Sequence, residues 1–201
     1  MSLIARDNFP GSTLSSDWVQ YSGSYAVGSN IVTATANGSP SPKNVLIRGT
    51  QYYPDCLVSV QVGPNYLGAT HVGGPLARIT IDGGALSCLQ MIYKPPSKLL
   101  QTVWVSNNTA GNDIFDTGAG SFVYQVNAGD LMSLQCVGNV LTMFVNGIQV
   151  ATVTDTVSDR VTGSVGMNVV STGSNYGMQN WSASNLAGFR ARPGRFWRLG
   201  R

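Results

Sequence analysis

The chain contains no glutamate: all nine of its acidic residues are aspartate. Lysine occurs only at Lys43, Lys94 and Lys98, and histidine only at His71. Charged residues make up 10% of the sequence, against about 25% in an average soluble domain. Its polar surface must therefore come from Ser, Thr, Asn, Gln and Gly. Scarcity of the charged helix formers, beside many Val, Thr and Ser and 24 Gly, argues for β structure. No apolar run approaches the roughly 18 residues of a membrane-spanning helix. Leu3-Ile4-Ala5 is too short for the apolar centre of a secretion signal. The expectation is a chain made in a reducing cytosol, with no membrane insertion. Cys56, Cys88 and Cys136 are far apart in apolar stretches, which predicts buried free thiols. Metal-ligand spacing is absent, and Gly73-Gly74-Pro75 lacks the Gly-Lys-Ser/Thr ending of a phosphate-cradling loop.

What is present is strand signal at short spacing. Alternating or apolar stretches fall at 24–27, 31–36, 45–48, 57–62, 77–81, 88–93, 99–106 and 121–126. Further stretches follow at 131–137, 140–145, 148–154, 163–169 and 179–184. Asn37-Gly38, Asp82-Gly83-Gly84, Asn146-Gly147 and Gly173-Ser174-Asn175 lie between them and supply turns. No stretch has helical period, and many short strands at this spacing mean a sandwich or barrel. The clearest part is a meander. Met132, Leu134 and Cys136 share one face before Gly138-Asn139, and Leu141, Met143 and Val145 share one before Asn146-Gly147. Val140 and Phe144 make its opposite face partly apolar, as stacking of two sheets requires.

In this stretch Gly129, Asp130, Gly138, Asn146, Gly147, Val150, Asp155, Gly163 and Gly166 resemble the concanavalin A-like jelly roll, in its laminin-G-like and glucanase-like branch. Asp7, Phe9, Trp18, Gly23, Tyr25 and Val27 resemble that family's first hairpin, where aromatics seal the end of the sandwich. The resemblance spans roughly residues 5–186 and implies an all-β, antiparallel two-sheet jelly-roll sandwich over 1–188, with an extended C-terminal arm over 189–201. It does not carry hydrolysis with it. The family's hydrolases use a Glu-x-Asp-x-x-Glu strand, which a chain without Glu cannot form, and the expectation is no enzyme and no catalytic residue. Asp113 with Asp116, and Asp155 with Asp159, sit among turn-forming residues where Asp caps turns. His71 has no Gly-x-Ser-x-Gly elbow beside it. No cofactor or metal is expected, the one candidate being the family's structural calcium, for which Asp7 matches and the strand around Trp181 offers no acid. A glycan site is the alternative function, drawn from Tyr66, Tyr93, Trp104, Asn107, Asn108, Asn112 and Asp113.

The last twelve residues, RARPGRFWRLGR, hold five of the twelve basic residues and no acid. The other 189 hold seven Lys and Arg against nine Asp, a net of −2. Pro193-Gly194 breaks any helix there, leaving an arm with arginines around two large aromatics. Such residues anchor protein interfaces, a reading that outweighs base stacking on nucleic acid. Arg190, Arg192, Arg195, Phe196, Trp197, Arg198 and Leu199 are the expected docking residues. A Glu-free, Gly/Ser/Thr/Asn-rich sandwich with such an arm is similar to bacteriophage virion proteins of tail fibres, minor tail or head decoration. That resemblance implies a structural and binding module of a virion, made in the host bacterial cytoplasm. Its partners would be other virion proteins, a homo-oligomer and host surface glycans.

Overall fold

A computed structural model describes residues 1–36, 44–64, 72–106, 109–113, 121–156, 161–169 and 177–187. The first half of the chain forms β1 (Ser2–Asp7), β2 (Trp18–Gln20), β3 (Ser24–Gly28), β4 (Ile31–Ala36), β5 (Val45–Tyr53), β6 (Cys56–Val62), β7 (Pro75–Asp82) and β8 (Ala85–Lys94). After a 3-10 turn at Pro95–Ser97 come β9 (Leu99–Ser106), β10 (Thr109–Asp113), β11 (Ser121–Val123), β12 (Leu131–Val137), β13 (Val140–Val145), β14 (Ile148–Thr154), β15 (Gly163–Asn168) and β16 (Gly177–Asn185). The strands form two eight-stranded antiparallel sheets, the expected jelly-roll sandwich. The first runs β14-β13-β12-β6-β16-β4-β3, with β1 on β16. The second runs β10-β9-β8-β7-β15-β5-β2, with β11 on β9.

Burial of alternate residues joins the two layers. Val58, Val60, Met132 and Leu134 of the first sheet belong to one buried cluster with Leu46, Leu89, Met91, Leu100 and Met167 of the second. The indole N–H of Trp181 in β16 crosses to the carbonyl of Gly166 in β15 at 3.0 Å, giving a buried polar group its partner. Only glycine fits at 166, because a Cβ there would fall on the carbonyl oxygen of Leu46. The outer faces differ. On the first sheet Ser59 and Ser133 bond each other at 2.8 Å, among the Gln and Thr residues that replace ions in this composition. On the second, Val45, Ile47, Leu76, Ile79, Leu86, Cys88 and Val105 make a separate apolar cluster.

The meander follows its predicted register. Val137 pairs Val140 across Gly138-Asn139, and Val145 pairs Ile148 across Asn146-Gly147. Asn146 and Gly147 both take positive φ, 52° and 76°, as a two-residue hairpin turn of this kind demands. Three strands are absent from the sequence reading: β1, β2 and β10. β1 has an apolar centre without alternation and β2 is three residues long, so their pairing with β16 and β5 is tertiary in origin. The expected turns at Asn37-Gly38 and Gly173-Ser174-Asn175 lie outside the described residues.

Candidate functional site

The pairing of β1 with β16, and of β2 with β5, brings the first seventeen residues against the end of the sandwich. Asp7 ends β1 opposite Trp181. One of its oxygens accepts the Phe9 N–H at 2.7 Å, a two-residue Asx turn that holds Phe9 at a φ of 54°. Positive φ is rare for a bulky residue. Here the Phe9 ring is buried against Trp18 at 5.8 Å between centroids. Trp18 in turn meets Trp181 edge-on at 4.9 Å. The aromatic seal expected at this end is therefore in place.

The second oxygen of Asp7 accepts the Trp18 indole N–H at 2.7 Å and the Arg48 guanidinium at 3.3 Å. Arg48 also reaches Ser15 at 3.1 Å and Asp17 at 2.7 Å, and its guanidinium lies over the Trp18 ring, 5.3 Å from the centroid. Asp17 is 64% exposed, whereas Arg48 and Asp7 are largely covered. These groups line a cavity of about 400 Å³, with Arg6 and Leu14 on its walls. That volume falls within the roughly 300–1,000 Å³ of small-ligand sites. Arg6 is exposed and has no ion-pair partner among the described residues. Two guanidiniums and two carboxylates leave the cavity neutral overall. Its rim therefore offers charge-assisted donors and acceptors side by side, which suits a neutral polyhydroxyl ligand.

Asp7, the one candidate ligand for the family's structural calcium, is already engaged in this geometry. Both Asp7 oxygens are engaged by N–H donors, one of them an arginine, so no free carboxylate faces a cation. Among the described residues no group of three or more His, Cys, Asp or Glu side chains converges.

Of the proposed glycan residues, the described ones, Tyr93, Trp104, Asn112 and Asp113, fall on the neighbouring strands β8, β9 and β10. Tyr93 is fully buried in the core and Trp104 packs half-buried against the same cluster. Both follow the inward side of their strands, since Tyr93 pairs Leu100 and Leu89 pairs Trp104. The Tyr93 ring is closed to a sugar, which corrects that assignment. Asn112 and Asp113 fall in β10 at the edge of the second sheet. Tyr66, Asn107, Asn108, His71, Asp116 and Asp159 lie outside the described residues, as does the arm with Arg190, Arg192, Arg195, Phe196, Trp197, Arg198 and Leu199. The sequence reading missed Arg6, Asp17 and Arg48 as site residues. The available signal was Arg48, a charge closing an apolar strand in a chain that has few charges. Arg78, a charge inside an apolar strand, is structural: it is buried and donates to the carbonyls of Pro54 and Gly138.

No family model and no curated protein matches this chain. Among solved structures it is similar to a carbohydrate-binding module from Bacillus subtilis, with 14% identity, 84% of this chain and 96% of that one covered, and a TM-score of 0.61. A Bacillus subtilis protein of unknown function with a galectin-like fold covers 91% of this chain and 96% of its own at 11% identity and a TM-score of 0.62. A Bacillus licheniformis β-glucanase covers 92% and 98% at 14% identity and a TM-score of 0.51. Identities this low establish the fold and nothing finer.

Proposed function

We propose that this chain is a non-enzymatic carbohydrate-binding β-sandwich that takes a neutral glycan at the cavity between Arg6, Asp17 and Arg48. The observation that carries the reading is that cavity, neutral overall and rimmed by paired donors and acceptors, on a sandwich similar over most of its length to a carbohydrate-binding module. Asp17 accepts hydroxyl protons, while Arg6 and Arg48 donate to hydroxyl oxygens, and Leu14 and Pro10 offer apolar surface to sugar C–H groups. Glycoside hydrolysis needs two carboxyls roughly 5–9.5 Å apart, one of them a proton donor. Both oxygens of Asp7 are taken by N–H groups, so that carboxyl supports holding rather than cleaving.

Affinity electrophoresis in gels of bacterial wall polysaccharides, with a glycan array beside it, tests the reading. Asp17→Ala and Arg6→Ala change exposed residues and leave the fold intact. Each weakens binding by about tenfold to a hundredfold, the effect of losing a hydrogen bond to a charged group. A reducing-sugar assay on the retained polysaccharide shows no release. Retention of no glycan, or binding indifferent to both substitutions, overturns the proposal.

A second reading rests on the separation of charge along the chain. Five arginines in 190–201, against a body of net −2, suit a module of a bacteriophage virion held by that segment to a neighbouring subunit and displaying its glycan site to the host. Similarity to known structures favours glycan binding over this structural role. In the virion reading, deletion of 190–201 leaves a folded body that no longer enters particles.

A further inference from the structure

Cys56 opens β6 and Cys136 stands one residue before the end of β12, far apart in the sequence. The antiparallel register sets the two directly opposite each other, with no shift along the ladder from Leu131 to Cys136. Both side chains turn into the shared core and both are fully buried. Parity fixes the kind of pair they make. In the same ladder the Val62 N–H donates to the Asp130 carbonyl at 2.9 Å, and hydrogen-bonded pairs recur at every second residue. Cys56 and Cys136 are therefore a hydrogen-bonded pair, with α-carbons about 5.5 Å apart, close to the usual separation across a disulfide. A hydrogen bond already joins their side chains.

The surroundings hold this register. The Asp55 carboxylate accepts the Gly138 N–H at 2.8 Å, and its carbonyl accepts the Leu186 N–H at 2.9 Å. Buried Arg78 donates to the carbonyls of Pro54 and Gly138. The chain just before Cys56 is thus tied to the turn just after Cys136, which opposes slippage of one strand along the other. Cys88 has no part in this pair. It lies opposite Val105 in the separate apolar cluster on the outer face of the second sheet.

We propose that Cys56 and Cys136 form a dithiol modification site, oxidised by a small disulfide of the glutathione class to a bond that staples β6 to β12. The structure holds both as free thiols. One cysteine, as its thiolate, attacks a sulfur of the oxidant and expels the other half of it. The second cysteine, as its thiolate, attacks the protein sulfur of that mixed disulfide and expels the remaining half. Two protein S–H bonds are exchanged for one S–S bond. The oxidant's S–S bond becomes two thiols, which carry off both protons. Burial sets the moment of reaction: the exchange runs while the chain folds or when β6 and β12 part, because the closed sandwich excludes the oxidant. The loop so closed contains β7 to β11, and a loop of that length restricts the unfolded chain strongly. None of this depends on whether a glycan binds the cavity at the sandwich end.

Refolding the reduced, denatured full chain in a buffer of reduced and oxidised glutathione, then alkylating and digesting it with trypsin, tests the site. The three cysteines fall in separate tryptic peptides, 49–78, 79–98 and 99–160, so mass spectrometry reads which two are joined. The Cys56–Cys136 bond should exceed either pairing with Cys88 by at least about tenfold, because only that pair stands within disulfide reach. In denaturant the three pairings should differ little, since loop closure depends weakly on length. The β-carbons of such a pair must close by about 1 Å to form the bond, and the melting temperature reads whether the sheet accepts this. The cross-linked form should melt about 5 °C or more above the reduced one, and dithiothreitol should reverse the shift. Cys88→Ala should keep both the bond and the shift, whereas Cys136→Ala should lose both. Refolded protein in which all three cysteines take the alkylating reagent overturns the proposal. A bond to Cys88, glutathione left on Cys56 or Cys136, or a cross-linked form that melts no higher than the reduced one overturns it too.

Discussion

Thr102 in β9 is fully buried and its hydroxyl has no hydrogen-bond partner. It faces inward opposite Met91, so a polar atom occupies a position that an isosteric methyl would suit. Thr102→Val should raise stability by about 1 kcal/mol, the scale of relieving an unmade hydrogen bond, read as a higher urea midpoint at unchanged slope. The thiols follow from burial as well. Burial pushes the Cys88 thiol up from its ordinary value, and a hydrogen bond with Cys136, then burial, pushes up Cys56. Burial does the same to the Tyr25 hydroxyl. Acids whose values are raised on folding stabilise the fold below their unfolded values, and that contribution is lost as pH rises past them. Stability should therefore fall above about pH 8.5, where free thiols begin to ionise, and fall further above about pH 10. Urea midpoints across pH 7–11 check this. At pH 8 a thiol reagent should find no fast-reacting cysteine in the native protein and three in denaturant. The free, buried state of these cysteines was legible in the sequence, because each sits in an apolar strand. The half-buried ion pair of Asp7 with Arg48 was not, since the two are 41 positions apart in sequence.

At the scale of elements, the meander shows why its motif residues were readable. Asp130 holds the Asn146 side chain at 2.7 Å and the Asn127 N–H at 2.7 Å, and Asn146 accepts the Leu131 N–H at 2.8 Å. Asp130 and the Asn-Gly turn thus latch β12 to β13 through contacts that are nearly local, which sequence spacing can express. Gly166 belongs to the same motif for a different reason: a Cβ at this position would run into the β5 backbone at Leu46 and Ile47, a close approach that only the folded sheet reveals. Gly166→Ala should cost about 3 kcal/mol, seen as a large fall in melting temperature with the geometry of the Arg6–Asp17–Arg48 cavity otherwise kept. β1 and β2 illustrate the opposite case. They are short, weakly patterned strands given their conformation by β16 and β5, and they carry Asp7 and Trp18 into the candidate site.

For the whole molecule, composition and periodicity determined that this chain is all-β, a sandwich or barrel, and the resemblance of its motif residues to a jelly roll implied the antiparallel sandwich. They did so because strand alternation and turn chemistry are local properties, and because a chain without Glu and nearly without Lys covers its surface with hydroxyls and amides. They also marked the basic aromatic segment at 190–201 as distinct from the body. The tertiary structure alone decided the rest. It turned Tyr93 inward, where strand parity and the opposing sheet bury it, and set Trp104 half-buried against the same core. It gave both Asp7 oxygens N–H partners. It gathered Arg6, Asp17 and Arg48 from separate segments around one neutral cavity. It also left an apolar cluster on the outer face of one sheet and a polar face on the other. Which face of a strand meets the second layer, and which distant charges meet at the sandwich end, depends on how two sheets stack. That is a long-range outcome of burying a common core, and no stretch of sequence encodes it by itself.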